Sequence, residues 1–128
     1  MVALVAGCGA GNPDEEKIES TIKGYLAAFA DHDGDKICSY LTDDARKAML
    51  RRVKSLANKP DCNTIASITT DIDQEQLDRL KDVQVADIKI TGDTATARPT
   101  LAGEKAEEAT LRRVGDDWKL DNSYFEAG

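Results

Sequence analysis

The spacing of apolar residues changes once along this chain, near Gln84, and that change constrains the fold more than any other feature. Before it, apolar residues recur at intervals of three and four, which is the period of one helix face. After it, apolar and polar residues alternate, as they do in a strand with one buried face. Helices followed by a strand meander predict an α+β domain.

Four helices are predicted in the first part. The first begins at Pro13, a residue suited to the first helical position, and its acidic first turn favours the positive end of the helix dipole. Its apolar stripe consists of Ile18, Ile22, Tyr25, Leu26 and Phe29. The other predicted helices are a short one that carries residues 37–41, one from Asp43 to about Leu56 with Thr42 as N-cap, and one from Asp73, as N-cap, to near Asp82. Residues 58–63 are predicted to form a loop.

About four strands are predicted in the second part. In the first strand, Ala86, Ile88 and Ile90 share one face, and the polar residues between them share the other. The next strand covers residues 94–100, where Pro99 implies an edge or a bulge. The last two strands cover residues 108–114 and the segment after the tight turn at residues 115–117, with Trp118 and Leu120 facing inward.

Charge and length limit the classes of partner. The 128 residues suit one domain, and they carry 17 Lys and Arg against 24 Asp and Glu, a net charge of −7. Binding to nucleic acid depends on clustered cations, so nucleic acid is not expected as a partner, and the net charge also disfavours anionic lipid headgroups. No run approaches the roughly 18 apolar residues that cross a bilayer.

The first residues are small and apolar and resemble a processed leader. Val5-Ala6-Gly7-Cys8 is similar to the lipobox of bacterial lipoproteins, whose cysteine carries lipid and becomes the mature N-terminus. We therefore expect Cys8 to be a lipid anchor, residues 1–13 to be a signal remnant and flexible tether, and residues 14–128 to be a single domain. The alternative is a buried N-terminal strand with a core cysteine, which the glycines around Cys8 disfavour.

The three cysteines fit an exported protein. If Cys8 carries lipid, Cys38 and Cys62 remain, and an even remainder in an oxidising compartment predicts a disulfide. Two unpaired thiols in a cytoplasmic protein are the alternative. The chain has no C-x-x-C motif, and its single histidine, His32, lacks ligand spacing to Cys38, so neither a redox nor a zinc site is expected.

Several segments together resemble the nuclear transport factor 2-like family, also described as a cystatin-like α+β cone. The segments are Gly24-Tyr25-Leu26-Ala27-Ala28-Phe29, the turn at Asp33-Gly34-Asp35, Leu41-Thr42-Asp43-Asp44-Ala45, Gly92-Asp93-Thr94-Ala95-Thr96-Ala97 and Trp118-Lys119-Leu120-Asp121. The resemblance implies N-terminal helices packed on a curved antiparallel sheet of about four strands. With the placement of its cysteines, the chain is also similar to small actinobacterial lipoproteins of this fold, many of unassigned function.

The isomerases of this family provide a test for catalysis. Their oxyanion-donor tyrosine falls on Tyr25, but their general-base position falls near Met49, which cannot accept a proton, and only Glu108 lies near the position of their acid. Isomerase chemistry is therefore not expected.

A calcium loop beginning at Asp31 is disfavoured because its twelfth position is Thr42 rather than Glu. A Ser-His-Asp triad and a phosphate-binding glycine loop are not expected either.

A basic stretch runs through the helix predicted from Asp43. Arg46, Lys47, Arg51, Arg52, Lys54 and Lys59 could face lipid headgroups or form a solvated outer helix face, and we favour the latter because Met49, Leu50 and Val53 supply a buried side.

Two functions remain. The favoured one is a non-catalytic lipoprotein domain on the outer face of the bacterial cytoplasmic membrane that binds a small apolar ligand or another envelope protein, without cofactor or metal. The alternative is a small enzyme of the cyclase, isomerase or dehydratase kind that uses the cone pocket. The residues predicted to line that pocket are Tyr25, Phe29, Tyr40, Arg98, Trp118 and Tyr124. Core packing is the commoner role for such residues, and it is the other interpretation of each of them.

Overall fold

The computed structural model describes residues 13–54, 59–67, 72–101, 104–105 and 108–121. The predictions for Cys8, for the tether before Pro13 and for Tyr124 lie outside these residues. The described helices are α1 (Pro13–Ala30), α2 (Gly34–Ser39), α3 (Asp43–Arg52), α4 (Cys62–Ser67) and α5 (Gln74–Asp78), followed by a 3-10 turn (Arg79–Asp82). The strands are β1 (Gln84–Thr91), β2 (Thr94–Leu101), β3 (Glu104–Lys105), β4 (Ala109–Val114) and β5 (Asp117–Leu120).

Helix α1 packs its apolar stripe into the core of the domain. It begins at Pro13 with an acidic first turn, as predicted, and the five residues of its predicted stripe are all buried in the core. Thr42 caps α3 as predicted, because its hydroxyl accepts a hydrogen bond from the N–H of Ala45 at 3.2 Å. Asp73 precedes α5 but makes no capping hydrogen bond through its side chain.

The predicted loop at residues 58–63 is wrong at its end, because α4 begins at Cys62. Asp61 and Thr64 explain this start. The carboxylate of Asp61 accepts a hydrogen bond from the N–H of Thr64 at 3.0 Å, and the Thr64 hydroxyl accepts one from the N–H of Asp61 at 3.1 Å. This reciprocal pair satisfies two N–H groups that a helix start otherwise leaves without a partner.

The strands form one antiparallel sheet in the order β1-β2-β4-β5, with the two-residue β3 beside the end of β2. A row of apolar residues crosses the four main strands and faces the helices: Ile90, Ala95, Leu111 and Leu120. β4 pairs with β2 as far as Ala97, and β3 pairs from Thr100 onward. Pro99 falls between these two paired stretches, as expected for a residue without an N–H to donate.

A bulge in β1 changes which residues share its half-buried face, so the predicted face is wrong at one residue. Ala86 pairs with Arg98 and Lys89 pairs with Thr96, so β1 has one residue more than β2 over this interval. Asp87, with φ of 55°, lies within the bulge. Each extra residue reverses the faces of a strand, so Val85, rather than Ala86, shares the half-buried face with Ile88 and Ile90.

The helices close onto the free edge of β5. The N–H of Thr42 donates to the carbonyl of Leu120, and the N–H of Leu120 donates to the carbonyl of Tyr40, both at 2.8 Å. The disulfide predicted between Cys38 and Cys62 is present and joins α2 to α4, with 6.0 Å between the Cα atoms. The fold class is therefore α+β, with N-terminal helices on an antiparallel sheet, consistent with a nuclear transport factor 2-like cone.

Candidate functional site

A surface cleft of about 720 Å³ lies between the first half of α1, the end of α2 and strand β5. Helix α1 lines it with polar side chains, including Glu16, Lys17 and Ser20. The opposite wall contains Tyr40 at the end of α2 and residues 117–119 at the start of β5. The cleft thus combines two aromatic residues, Tyr40 and Trp118, with hydroxyls and charges of both signs.

A network of charged and aromatic side chains fixes the first turn of α1 against the sheet. The carboxylate of Asp14 accepts hydrogen bonds from the indole N–H of Trp118 and from the guanidinium of Arg113, each at 3.2 Å. The guanidinium carbon of Arg113 also lies 4.8 Å from the centre of the Trp118 ring, within the range of a cation–π contact. The indole hydrogen bond, aided by the charge of Arg113, lowers the pKa of Asp14.

Two further hydrogen bonds join α1 to β5 and to the turn before it. The hydroxyl of Thr21, a buried polar side chain, donates to the carbonyl of Trp118 at 2.8 Å. The ammonium of Lys17 donates to the carbonyl of Asp116 at 2.9 Å. These bonds hold the two walls at a fixed separation, so the cleft is a preformed feature of the fold.

Tyr40 packs directly on α1 at Gly24. A Cβ atom at Gly24 would lie 2.3 Å from the Tyr40 hydroxyl oxygen and 2.4 Å from Cζ. A side chain there would therefore push the phenol ring away from α1, and the glycine allows Tyr40 to form a cleft wall.

The structure separates the residues predicted to line a pocket. Tyr25 and Phe29 are fully buried in the core, where their rings meet edge to face at 5.1 Å, and the Tyr25 hydroxyl donates to the sulfur of Met49 at 3.5 Å. Arg98 lies across the sheet and pairs with Glu108 at 3.8 Å. The structure brings Tyr40 and Trp118 together at the cleft.

The interior between helices and sheet is filled with apolar side chains. Among the described residues, the buried polar side chains other than Tyr25 and Trp118 are Thr21 and Thr42, and the half-buried Arg113 has its Nε atom enclosed. Thr42 donates to the carboxylate of Asp121 at 2.8 Å while it caps α3. These polar groups therefore have structural partners.

The acidic turn after α1 also has structural roles. Asp33 caps α2 by accepting the N–H of Lys36 at 3.1 Å, and Asp31 pairs with Lys81 at 2.9 Å, which raises the pKa of that lysine. In the part of the chain that the structure describes, no three His, Cys, Asp or Glu residues are grouped as metal ligands.

A second, smaller cleft of about 390 Å³ lies beside His32 and the exposed side of α4.

The sequence interpretation missed most of the residues that line the main cleft. Glu16, Lys17 and Ser20 are typical of a solvated helix face, and no sequence signal distinguishes them from one. Thr21 did offer a signal, since it lies beside the apolar stripe at a position where a polar residue needs a buried partner.

Comparisons with protein-family models, with curated proteins and with solved structures found no match. The family resemblance therefore stays a prediction, whereas the α+β class is observed directly. None of the described helices has the length and apolar character needed to cross a membrane.

Proposed function

We propose that this chain is a non-catalytic domain of an exported bacterial lipoprotein, anchored through Cys8 to the outer face of the cytoplasmic membrane. Its cleft binds a small molecule that has an apolar part and a polar part. The proposal keeps the predicted compartment and anchor, and it moves the predicted pocket from the cone interior to the cleft between α1 and β5.

The observation that carries the proposal is the Cys38–Cys62 disulfide. Disulfides of this structural kind persist in oxidising compartments and are rare in the cytosol of mesophiles. It joins two helices of six residues each, α2 and α4, which are too short to be stable alone. A disulfide at this position supports the proposal that the protein is exported. The lipobox-like Val5-Ala6-Gly7-Cys8 supports the proposal that it is anchored.

The cleft supports binding. Its volume of about 720 Å³ falls within the range of small-molecule sites, about 300–1,000 Å³. Tyr40 can contact an apolar group, whereas the Trp118 side chain is almost fully buried. Ser20 and the charged side chains of the rim can contact a polar group. The hydrogen bonds from α1 to β5 keep these groups in place before a ligand arrives, which lowers the entropic cost of binding.

The filled interior supports binding over catalysis. A general base works best when its pKa is shifted by burial or by a charged neighbour in a cleft. The pKa of the Asp14 carboxyl is lowered by its hydrogen bond from Trp118 and by the charge of Arg113, which weakens it as a base. Met49, at the position implied for the family's base, bonds to Tyr25 inside the core.

Native mass spectrometry of the full chain from membranes of its own host tests the anchor and the disulfide together. We expect a diacylglycerol adduct, a two-hydrogen deficit and a retained small molecule. A Cys8→Ser variant should lose the adduct and keep the deficit. An unmodified chain with three free thiols would refute the proposal and return the enzyme alternative.

A pair of substitutions tests the cleft. Ser20→Trp places a large side chain in the cleft from an exposed position of α1, whereas Glu15→Trp adds the same side chain to α1 outside the cleft. We expect the retained mass to disappear with Ser20→Trp and to remain with Glu15→Trp. Retention by both variants would place the ligand elsewhere.

A further inference from the structure

The positive charges of this acidic chain are concentrated around one helix. Six of the 17 Lys and Arg residues lie between Arg46 and Lys59, and none of the 24 Asp and Glu residues does. This segment comprises most of α3 and the residues after it. The net charge of −7 therefore combines one basic segment with an acidic remainder.

The structure places two of these cations, Lys47 and Arg51, on the outer side of α3 and a third, Lys54, just after its end. Ala45, Met49 and Val53 form its buried side. Lys47, Arg51 and Lys54 are spaced by four and three residues and are all exposed. We call these three residues the basic stripe. Helix periodicity puts Lys47 and Arg51 on one face, opposite the buried side, and the exposed Lys54 follows directly after the helix end.

The basic stripe has no acidic partner among the described residues. Arg46, beside it, pairs with Asp43 at 3.5 Å. Cations elsewhere on the surface are often paired, as Lys23 is with Glu19 at 3.3 Å. Like charges four residues apart on a helix, such as Lys47 and Arg51, destabilise it. The arrangement therefore leaves several positive charges available to an external anion.

We propose that the basic stripe binds a membrane surface rich in anionic lipid. Clustered Lys and Arg residues bind anionic headgroups, and the three cations of the stripe lie within a segment that has six. The cores of protein–protein interfaces are enriched in aromatic residues and arginine and depleted of lysine, and two of the three stripe residues are lysines. Charge complementarity therefore favours a lipid surface over a protein partner.

The net charge of −7 does not prevent this contact. At physiological ionic strength, interactions between exposed charges are screened over about 8 Å. The charges nearest the bilayer therefore decide whether a face is attracted, and on this face they are positive. The acidic faces are repelled, so the same charge distribution orients the domain.

This inference goes beyond the proposed function and does not require lipid on Cys8, so it is tested with the unlipidated full chain. The assay is co-sedimentation with vesicles of phosphatidylglycerol and phosphatidylcholine, compared with vesicles of phosphatidylcholine alone. Lys47→Gln/Arg51→Gln/Lys54→Gln removes the stripe. Lys23→Gln/Lys36→Gln/Lys89→Gln removes three cations from other elements and changes the net charge equally.

We expect the full chain to bind the anionic vesicles and to be released by high salt. The stripe variant should bind them about 100-fold more weakly, since each basic residue near the surface contributes about fivefold. The control variant should change binding by less than about threefold, because its charges lie on other faces. Equal losses in both variants, or binding of the full chain that is no stronger to anionic than to neutral vesicles, would overturn the proposal.

Circular dichroism of both variants shows whether the fold is retained. All six substituted residues except Lys23 are exposed, and Lys23 is only partly buried, so we expect both variants to fold. Conversion of the five lysines among these six residues to arginine, in a second pair of variants, keeps their charge and should preserve binding. Loss of binding in these arginine variants would also contradict an electrostatic contact.

Discussion

Removal of the Cys38–Cys62 disulfide should lower the stability of the domain by a predictable amount. The cysteines are 24 residues apart, and the chain entropy that such a crosslink removes from the unfolded state corresponds to about 3.5 kcal/mol. Both side chains are only partly buried, so replacement by serine should add little through lost packing. We therefore expect the free energy of unfolding to fall by about 3.5 kcal/mol in a Cys38→Ser/Cys62→Ser variant.

Urea denaturation measures this change. Trp118 is the single tryptophan and is buried, so its fluorescence follows unfolding of the sheet, while circular dichroism follows the helices. A loss of about 3.5 kcal/mol lowers the urea midpoint by roughly 1–3 M. All variants carry Cys8→Ser, which prevents exchange of the disulfide with a third thiol.

Chemical reduction provides the matched control. Reducing the Cys8→Ser protein should lower its midpoint to that of the triple serine variant, and the reductant should leave the triple variant unchanged. A midpoint unaffected by either treatment would refute the reasoning, because it would mean that the crosslink does not restrict the unfolded chain.

Three further changes test local geometry. Gly34→Ala should destabilise the domain by about 1–3 kcal/mol in urea denaturation, because its Cβ would lie 2.3 Å from the backbone oxygen of Cys62, which cannot move aside; an unchanged midpoint would contradict this contact. Gly24→Ala should change stability by less than about 1 kcal/mol, because the Tyr40 ring can move and alanine favours the helix, but ligand retention should fall. Asp14→Asn should destabilise the protein at neutral pH and not in strong acid. The pKa of this carboxyl is lowered on folding, so its contribution is present above the ordinary value of 3.8 and is lost as the pH falls through the lowered value; a pH-independent difference would refute the assignment.

The helical half was predictable because its signals are local. The stripe of α1 and the Thr42 cap are each encoded within a few residues, and the structure confirms both. Helix α4 was missed because its start depends on the reciprocal bonds of Asp61 and Thr64, and its six residues are too few to show a period. The disulfide was predictable from the cysteine count once Cys8 was assigned to lipid and the protein to an oxidising compartment.

The sheet and the cleft depend on longer-range contacts. The bulge at Asp87 reverses one strand face, and alternation along β1 cannot reveal it because the extra residue is defined by pairing with β2. The cleft depends on Asp14 meeting Trp118 across 104 residues. The aromatic residues of α1 were assigned to a pocket by analogy with a family cone, but in this chain apolar packing fills that position.

The proposed anchor and the proposed lipid contact together restrict how the domain can lie on a membrane. Cys8 precedes Pro13 by five residues, which span at most about 18 Å. Tyr25, which contacts α3 through Met49, lies twelve residues further along α1, or about 18 Å at the helical rise. The anchored end of α1 and the basic stripe are thus separate points on the domain.

Attachment at two separate points favours a side-on orientation over a domain that stands on its tether. The cleft, which Pro13 borders, would then stay within the reach of the tether from the bilayer. A molecule with an apolar part partitions into the bilayer, so its local concentration is highest there. A mixed polar and aromatic cleft this close to the bilayer is suited to an amphiphile. Loss of the basic stripe should therefore weaken capture of the ligand from membranes without changing capture of the same ligand from solution.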